Sequence, residues 1–222
     1  MRIIIINGSP RKNGFTAQIL HRFEEILIQK NFDVDFVNIS ELNILHCNGC
    51  CVCYKTGICY IKDDAEILSQ NIANSQGIII GSPTYASNIS GQLKQFIDRG
   101  HFVIEQLLHN KYAISVVTGE NYGSSDTSKI LTKLLKYSGA KISGKIVLNL
   151  PFNSSIQNVE KLDKRISFLA EKFSKDIHNK TSYLFQWVVH KIIFNFGIKP
   201  FIMKKGNDYI GVIEKWNSIN IK

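Results

Sequence analysis

Proline, tryptophan and methionine are scarce in this sequence, with four, two and two residues among 222. So few prolines leave no proline-rich linker, and no internal repeat or low-complexity segment divides the chain. Long apolar runs are also missing, because no stretch approaches the ~20 residues of a membrane-spanning helix. The isoleucine run at residues 3–6 is too short for a signal-peptide core. We therefore expect a cytoplasmic protein without a membrane span.

Acidic residues are few as well, with 18 Asp and Glu against 27 Lys and Arg, a formal net charge of +9. The excess lies largely in the tail, where residues 180–222 contain seven lysines but only Asp208 and Glu214 as acids. No arginine-rich strip or nucleic-acid motif accompanies these lysines. We therefore expect no nucleic-acid partner, and anionic small molecules remain possible ligands.

Buried-type strands alternate with amphipathic helices along the first 179 residues, which we take as one domain. The predicted strands are residues 3–7, 33–39, 77–81, 112–118 and 142–150; the predicted helices are 15–30, 63–74, 90–108, 125–137 and 159–177. This alternation predicts an α/β, flavodoxin-like three-layer sandwich with a five-stranded parallel sheet of order 2-1-3-4-5. Ligands of such sheets bind beyond the carboxyl ends of the strands.

A turn of small residues follows the first strand, in "INGSPRKNGFTA" at residues 6–17. Ser9, Arg11 and Thr16 offer two hydroxyls and a guanidinium beside the free N–H groups of a helix start, which suits a phosphate. A plain turn capped by Ser9 or Thr16 is the alternative. The loop has neither the GxGxxG nor the GxxxxGK[ST] spacing, so neither a Rossmann dinucleotide site nor a P-loop is indicated.

Two further loops follow the third and fourth strands, "GSPTYASNISGQLKQFIDR" at residues 81–99 and "TGENYG" at 118–123. Together with the first loop they resemble the NAD(P)H-dependent FMN reductase group of flavodoxin-like proteins, over residues 1–178. The resemblance implies FMN as cofactor, with the phosphate at the first loop and the isoalloxazine ring at the other two. One departure is Phe15, where such loops often have Asn. The residues implied to bind FMN are Ser9, Arg11, Gly14, Phe15, Thr16, Pro83, Thr84, Tyr85, Ala86, Asn88, Thr118, Gly119 and Glu120.

The chemistry implied by this resemblance is hydride transfer from NAD(P)H as co-substrate. The flavin performs that step, so no side chain is required as acid or base and none is assigned a catalytic role. The electrons would pass to a small-molecule acceptor such as a quinone, a nitro or azo compound, or free flavin.

All five cysteines fall within thirteen positions, in "HCNGCCVCYKTGICYIKDD" at residues 46–64. Cys47, Cys50, Cys53 and Cys59 form a compact set, and Cys51 is spare. Four thiolates in one loop suit a 4Fe-4S cluster or a tetrahedral zinc ion. The alternative is a set of empty thiols that pack as small apolar side chains.

The cysteine spacing resembles the motif of the iron-sulfur flavoprotein family, whose members place a 4Fe-4S cluster near FMN across a dimer interface. The resemblance implies that Cys47, Cys50, Cys53 and Cys59 are the cluster ligands. It also implies that His46, Lys55 and Lys62 surround the cluster and offset its negative charge. Two alternatives to the enzyme remain: an electron-transfer protein acting between protein partners, and a non-redox zinc and phosphate-binding module.

Residues 180–222 are predicted to form a basic amphipathic C-terminal arm. One helical face carries apolar residues and the other carries Gln186, His190, Lys191 and Asn195. We expect the arm to cover the partner subunit of a homodimer or tetramer, with peripheral contact to anionic lipid as the less favoured alternative. The apolar face consists of Phe185, Val188, Val189, Ile192 and Phe196.

Overall fold

The structure is a computed structural model that describes residues 1–120, 122–151 and 159–221. A five-stranded parallel sheet forms its centre, in the order β2-β1-β3-β4-β5. This order confirms the predicted topology. The strands are β1 (Arg2–Asn7), β2 (Asp33–Asn38), β3 (Gly77–Pro83), β4 (Tyr112–Gly119) and β5 (Lys141–Asn149).

Helices cover both faces of the sheet and complete the three predicted layers. The four isoleucines of β1 are fully buried, as expected for a central parallel strand with two covered faces. The α-helices are α1 (Phe15–Gln29), α2 (Val52–Thr56), α3 (Asp64–Ala73), α4 (Gly91–Arg99), α5 (Ser124–Tyr137), α6 (Val159–His178), α7 (Leu184–Ile192), α8 (Lys199–Lys205) and α9 (Ile210–Ser218). Helices α1 and α6 pack on one face, and α3, α4 and α5 pack on the other.

The helix predicted over residues 90–108 ends at Arg99, and that prediction is wrong beyond this residue. Residues 101–110 form successive turns instead. His101 and Gln106 have φ angles of 59° and 58°, a left-handed conformation that cannot continue a right-handed helix. A Cβ atom at Gly100 would lie 2.5 Å from the Phe102 ring, so glycine lets the chain fold back at this point.

The C-terminal arm is helical, as predicted, and its last part packs on its own chain. α7 continues through a π-helical turn (Ile193–Ile198) into α8, and a 3₁₀ turn (Gly206–Tyr209) leads to α9. Trp216 is buried, and its Nε1 donates a hydrogen bond of 3.0 Å to the Ile104 carbonyl. In the part of the chain that the structure describes, no helix is long and apolar enough to cross a membrane.

The orientation of α7 places its polar face against the domain. Gln186 accepts a hydrogen bond of 2.7 Å from the Ile142 N–H of β5 and donates one of 3.1 Å to the Ile142 carbonyl. His190 Nε2 lies 2.7 Å from Gln106 Oε1. The apolar face points outward, and Phe185 and Phe196 are 80% and 83% exposed.

Candidate functional site

The loop between β1 and α1 leaves a helix start without a side-chain cap. Gly14 is the N-cap residue, and no side chain accepts a hydrogen bond from the first turn of α1. Ser9 Oγ instead accepts the Arg11 N–H at 3.1 Å, and Thr16 Oγ1 lies 2.8 Å from Thr118 Oγ1. Because the first N–H groups of a helix have no partner within it, this end of α1 can receive an anion.

The loop after β3 contains a strained two-residue turn. Tyr85 and Asn88 exchange two backbone hydrogen bonds of 2.9 Å, with Ala86 and Ser87 between them. Both central residues are left-handed, with φ angles of 48° and 58°. This geometry is that of a tight hairpin turn, which normally carries glycine or asparagine at these positions. Such strain concentrates at functional sites.

The loop after β4 packs against this turn and supports its conformation. Gly123 has a φ angle of 85°, and a Cβ atom there would lie 2.6 Å from Ser87 Oγ and 2.9 Å from Ser87 Cα. At Gly119 an added Cβ would lie 3.2 Å from Thr84 Cβ in the loop after β3, and 2.1 Å from Ser124 Oγ at the start of α5. The two loops are therefore in contact at positions where only hydrogen fits. Asn121 of the TGENYG motif lies outside the described residues, whereas Glu120 is described and exposed.

Direct contacts bring the three loops together at one edge of the sheet. The Gly8 N–H donates a hydrogen bond of 2.8 Å to the Gly81 carbonyl, and Ser90 Oγ donates to the Gly8 carbonyl. The Thr84 N–H donates a hydrogen bond of 2.7 Å to the Thr118 carbonyl. The arrangement therefore combines an anion-type helix start with small residues and shaped backbone, which fits a phosphorylated planar cofactor.

A buried ion pair fastens the base of the cysteine loop. Arg99 donates two hydrogen bonds to the Asp63 carboxylate, at 2.8 and 3.0 Å, and neither side chain is more than 1% exposed. Arg99 also donates to the Leu45 carbonyl at 2.8 Å and to the Ile61 carbonyl at 3.3 Å. Burial alone would raise the pKa of Asp63, but the contact with Arg99 and two backbone N–H groups lower it. The two ends of the loop are thus held by one guanidinium.

The cysteines differ in their surroundings. Cys47, Cys50 and Cys51 are exposed, Cys53 is half-buried and Cys59 is buried. Within the described ranges, no three of the five sulfurs lie within 4.8 Å of one another. A tetrahedral zinc ion would need its sulfur ligands about 3.8 Å apart, given Zn–S bonds of about 2.3 Å. Thiolates are the usual ligands of four-iron clusters, so the chemistry of the donor set is compatible with such a cluster.

His101 lies beside one of these cysteines in a buried polar group. An imidazole nitrogen of His101, Cys53 Sγ and a Glu105 carboxylate oxygen all lie within 4.8 Å of one another. His101 Nδ1 is 2.5 Å from Glu105 Oε1, and Lys215 from α9 pairs with the same carboxylate. Burial alone would lower the pKa of His101, but Cys53, Glu105 and Glu66 together raise it to about 11. The imidazole therefore carries a positive charge at neutral pH.

Sequence reasoning missed both cations that contact the cysteines. His46, Lys55 and Lys62, which were expected around a cluster, are exposed. Arg99 contacts Cys59, and this contact and the one with Asp63 raise the pKa of Arg99 against the effect of burial. Arg99 ends the quoted motif of residues 81–99, and His101 was hidden in a helix predicted to continue to residue 108. The available signal was the Arg-Gly-His sequence at the end of that motif.

The strand order and the three loops at the carboxyl edge define a flavodoxin-like α/β protein. Residues 1–154 match the family model described as NADPH-dependent FMN reductase, and the chain belongs to this family. It is therefore a member of an oxidoreductase family, as its resemblance predicted.

Individual relatives agree with this membership and bear on the cysteine loop. An iron-sulfur flavoprotein of Clostridioides difficile strain 630 is 33% identical over 225 residues, which cover 100% of both chains. Another, from Archaeoglobus fulgidus, is 33% identical over 141 residues, covering 61% of this chain and 63% of the relative. The apo structure of an NADH:FMN oxidoreductase, EMOB, has a TM-score of 0.59 at 17% identity and covers 82% of this chain and 90% of its own. That structural likeness supports the fold alone.

Proposed function

We propose that this protein is an FMN-dependent oxidoreductase that takes hydride from NAD(P)H and passes electrons to a small acceptor. We further propose that its cysteine loop holds a 4Fe-4S cluster. The observation that carries the proposal is the uncapped start of α1 beside the strained turn at residues 85–88. These two features suit the two ends of one FMN molecule.

At the phosphate end, the N–H groups of Phe15 and Thr16 would donate to phosphate oxygens. Gly14, the N-cap residue, has no side chain that could cap them. Arg11 is exposed at the same loop and would add a charge-assisted contact, while the Ser9 hydroxyl completes the set. The departure at Phe15 removes one side-chain contact but keeps the backbone donor.

At the ring end, the residues that would contact the isoalloxazine are Pro83, Thr84, Tyr85, Ala86, Asn88, Thr118, Gly119 and Glu120. When bound, FMN accepts hydride and can release the electrons singly or as a pair. The turn at residues 85–88 would support one face and edge of the ring. Backbone N–H groups there would stabilise negative charge on the reduced ring, so no acidic or basic side chain is needed.

At the cysteine loop, the ligands would be Cys47, Cys50, Cys53 and Cys59. A cluster there would supply single-electron exchange with the flavin. The buried Arg99–Asp63 pair supports this assignment because it closes the loop at its base, independently of any metal. Two relatives that are named iron-sulfur flavoproteins support it further.

The test is anaerobic purification followed by flavin, iron and absorbance analysis. We expect about one FMN and about four irons per chain, with broad absorption beneath the flavin bands. NADH and NADPH are then added separately, and rapid bleaching by either supports the reductase. A bound flavin that neither nicotinamide reduces would contradict the NAD(P)H assignment while leaving FMN binding intact.

A second candidate is an electron-transfer protein that relays single electrons between protein partners. The exposure of Cys47, Cys50 and Cys51 favours it, because a cluster on this loop would lie near the surface. Fast one-electron exchange with a low-potential redox protein, without turnover of quinones or nitro compounds, would support this candidate over the reductase.

We also propose that the protein acts in the cytoplasm as a homodimer or tetramer, with the outward face of α7 covered by a second copy. The support is the exposure of large apolar side chains on this face, Leu184 and Phe185 among them. Light scattering tests it: Phe185→Ser should lower the molecular mass in solution. An unchanged monomeric mass, with binding to anionic vesicles, would favour the lipid alternative.

A further inference from the structure

Arg99 and His101 stand two residues apart at the end of α4 and face two cysteines of the same loop. Arg99 contacts Cys59, and His101 lies beside Cys53. The backbone of His101 is left-handed, and it turns the imidazole ring into the same interior as Arg99. The His101 side chain is 5% exposed there. A left-handed conformation is costly for a residue other than glycine. Its presence at a buried histidine indicates that the position of the ring matters.

Each of these side chains has a buried nitrogen without a hydrogen-bond partner. Arg99 Nε and His101 Nε2 are both buried, and neither makes a hydrogen bond within the described residues. His101 Nε2 lies 3.4 Å from Glu66 Oε2, an ion-pair contact that lowers the pKa of Glu66. A buried donor without a hydrogen bond is costly, and each of these side chains also contacts a cysteine, which points to the cysteine sulfurs as acceptors.

The remaining atoms of both side chains are held firmly. Asp63 and the Leu45 and Ile61 carbonyls bind the terminal nitrogens of Arg99. Glu105 holds His101 Nδ1, and Lys215 holds Glu105 in turn. Arg99 Nε and His101 Nε2 are therefore the atoms of these side chains that make no hydrogen bond within the described chain.

We propose that Arg99 and His101 donate hydrogen bonds to the Cys59 and Cys53 sulfurs of the bound iron-sulfur group and thereby raise its reduction potential. The inference rests on the proposed cluster. Hydrogen bonds to cluster sulfurs stabilise the more negative, reduced form, so removing a donor lowers the potential. Glu105 and Lys215 are positioning residues, because they act through His101.

The experiment measures the midpoint potential of the cluster by anaerobic redox titration, with iron analysis of each sample. His101→Leu removes the donor and should lower the potential; His101→Gln keeps an N–H donor and should lie between His101→Leu and wild type. The control is His178→Gln, at an exposed histidine at the end of α6 whose ring contacts Phe32 and no cysteine, which should match wild type.

Three outcomes separate the possibilities. An unchanged potential in His101→Leu with full iron overturns the inference and leaves the proposed cluster standing. Wild-type protein without iron after anaerobic reconstitution overturns both. If His101→Leu cannot retain iron, Lys215→Met decides, since it releases Glu105 without touching a cysteine. A lowered potential in Lys215→Met, and in Arg99→Lys, which removes the Nε donor while keeping the charge, supports the inference; unchanged potentials in both overturn it.

Discussion

Gly211 of α9 lies directly against Gly57 at the end of α2: a Cβ atom on Gly211 would lie 2.3 Å from the Gly57 nitrogen. The same Cβ would lie 2.9 Å from the Lys55 carbonyl oxygen. The C-terminal arm and the cysteine loop therefore meet backbone to backbone, with no room for a side chain.

Gly211→Ala should separate the arm from the cysteine loop, because the clashing atoms belong to backbone that cannot rotate away. We expect a loss of about 1–3 kcal/mol in the free energy of unfolding and faster alkylation of Cys53 in metal-free protein, measured by mass spectrometry. Gly197→Ala is the matched control, because an added Cβ there meets nothing within 4 Å. Equal alkylation rates in the two variants would show that the arm does not shield the loop.

Arg11→Ala should weaken FMN binding by about 1–3 kcal/mol, the range for a lost charge-assisted contact to phosphate. The measurement is fluorescence quenching of FMN by apoprotein. Lys12→Ala serves as control, since Lys12 lies in the same loop but pairs with Glu41. Equal affinities in all three proteins would contradict the phosphate placement.

Gly123→Ala should also weaken FMN binding, by about 1–3 kcal/mol, through the ring end rather than the phosphate end. The substitution forces a side chain into left-handed backbone and against Ser87, so the turn at residues 85–88 must shift. Gly91→Ala, where an added Cβ meets nothing within 4 Å, should leave the affinity unchanged. If the Gly123→Ala protein bound FMN with wild-type affinity, the turn at residues 85–88 would not be part of the cofactor site.

Cys53→Ser should lose the iron, whereas Cys51→Ser should keep about four irons per chain, because only the former removes an assigned ligand. FMN content should be unchanged in both, since the flavin loops share no residue with the cysteine loop. Iron analysis after anaerobic reconstitution checks the result. If Cys53→Ser retained the iron and Cys51→Ser lost it, Cys51 would be the ligand and Cys53 the spare cysteine.

Acid should destabilise the contact between the arm and the domain through His109. Burial, with His190 and nearby lysines, lowers the pKa of His109 to about 4, and burial also lowers that of His190. The unfolded chain therefore binds the proton first, and stability present above pH ~6.5 is lost as the pH falls toward ~4. The half-buried His109 should contribute roughly 1–2 kcal/mol after solvent screening. Urea unfolding of wild type and His109→Gln at pH 7 and 5 tests this, because the free energy of unfolding should fall more between the two pH values in wild type. An equal fall in both proteins would exclude His109 as the cause.

The sheet was predictable from the sequence because each strand carries its own signal. Four consecutive isoleucines predict a strand that is buried on both faces, and the βα alternation predicts a parallel sheet. Alternation alone does not choose the order, because 2-1-3-4-5 is one of two common orders of such sheets. The end of α4 was missed because the apolar spacing continues to Val103. Gly100, which is the C-cap residue, was the signal for the break, and the left-handed backbone at His101 completes it. The outward face of α7 was also not predictable as such: amphipathic spacing identifies the two faces but not which one packs, and Gln186 decides this by binding β5.

The two hydrogen bonds between Gln186 and Ile142 also cover part of an open sheet edge. β5 is the last strand of the sheet, so its outer N–H and C=O groups could pair with a strand of another molecule. The side-chain amide of Gln186 occupies both polar groups of Ile142, much as a neighbouring peptide unit would. The arm thereby blocks edge-to-edge pairing with another strand at this point of the sheet.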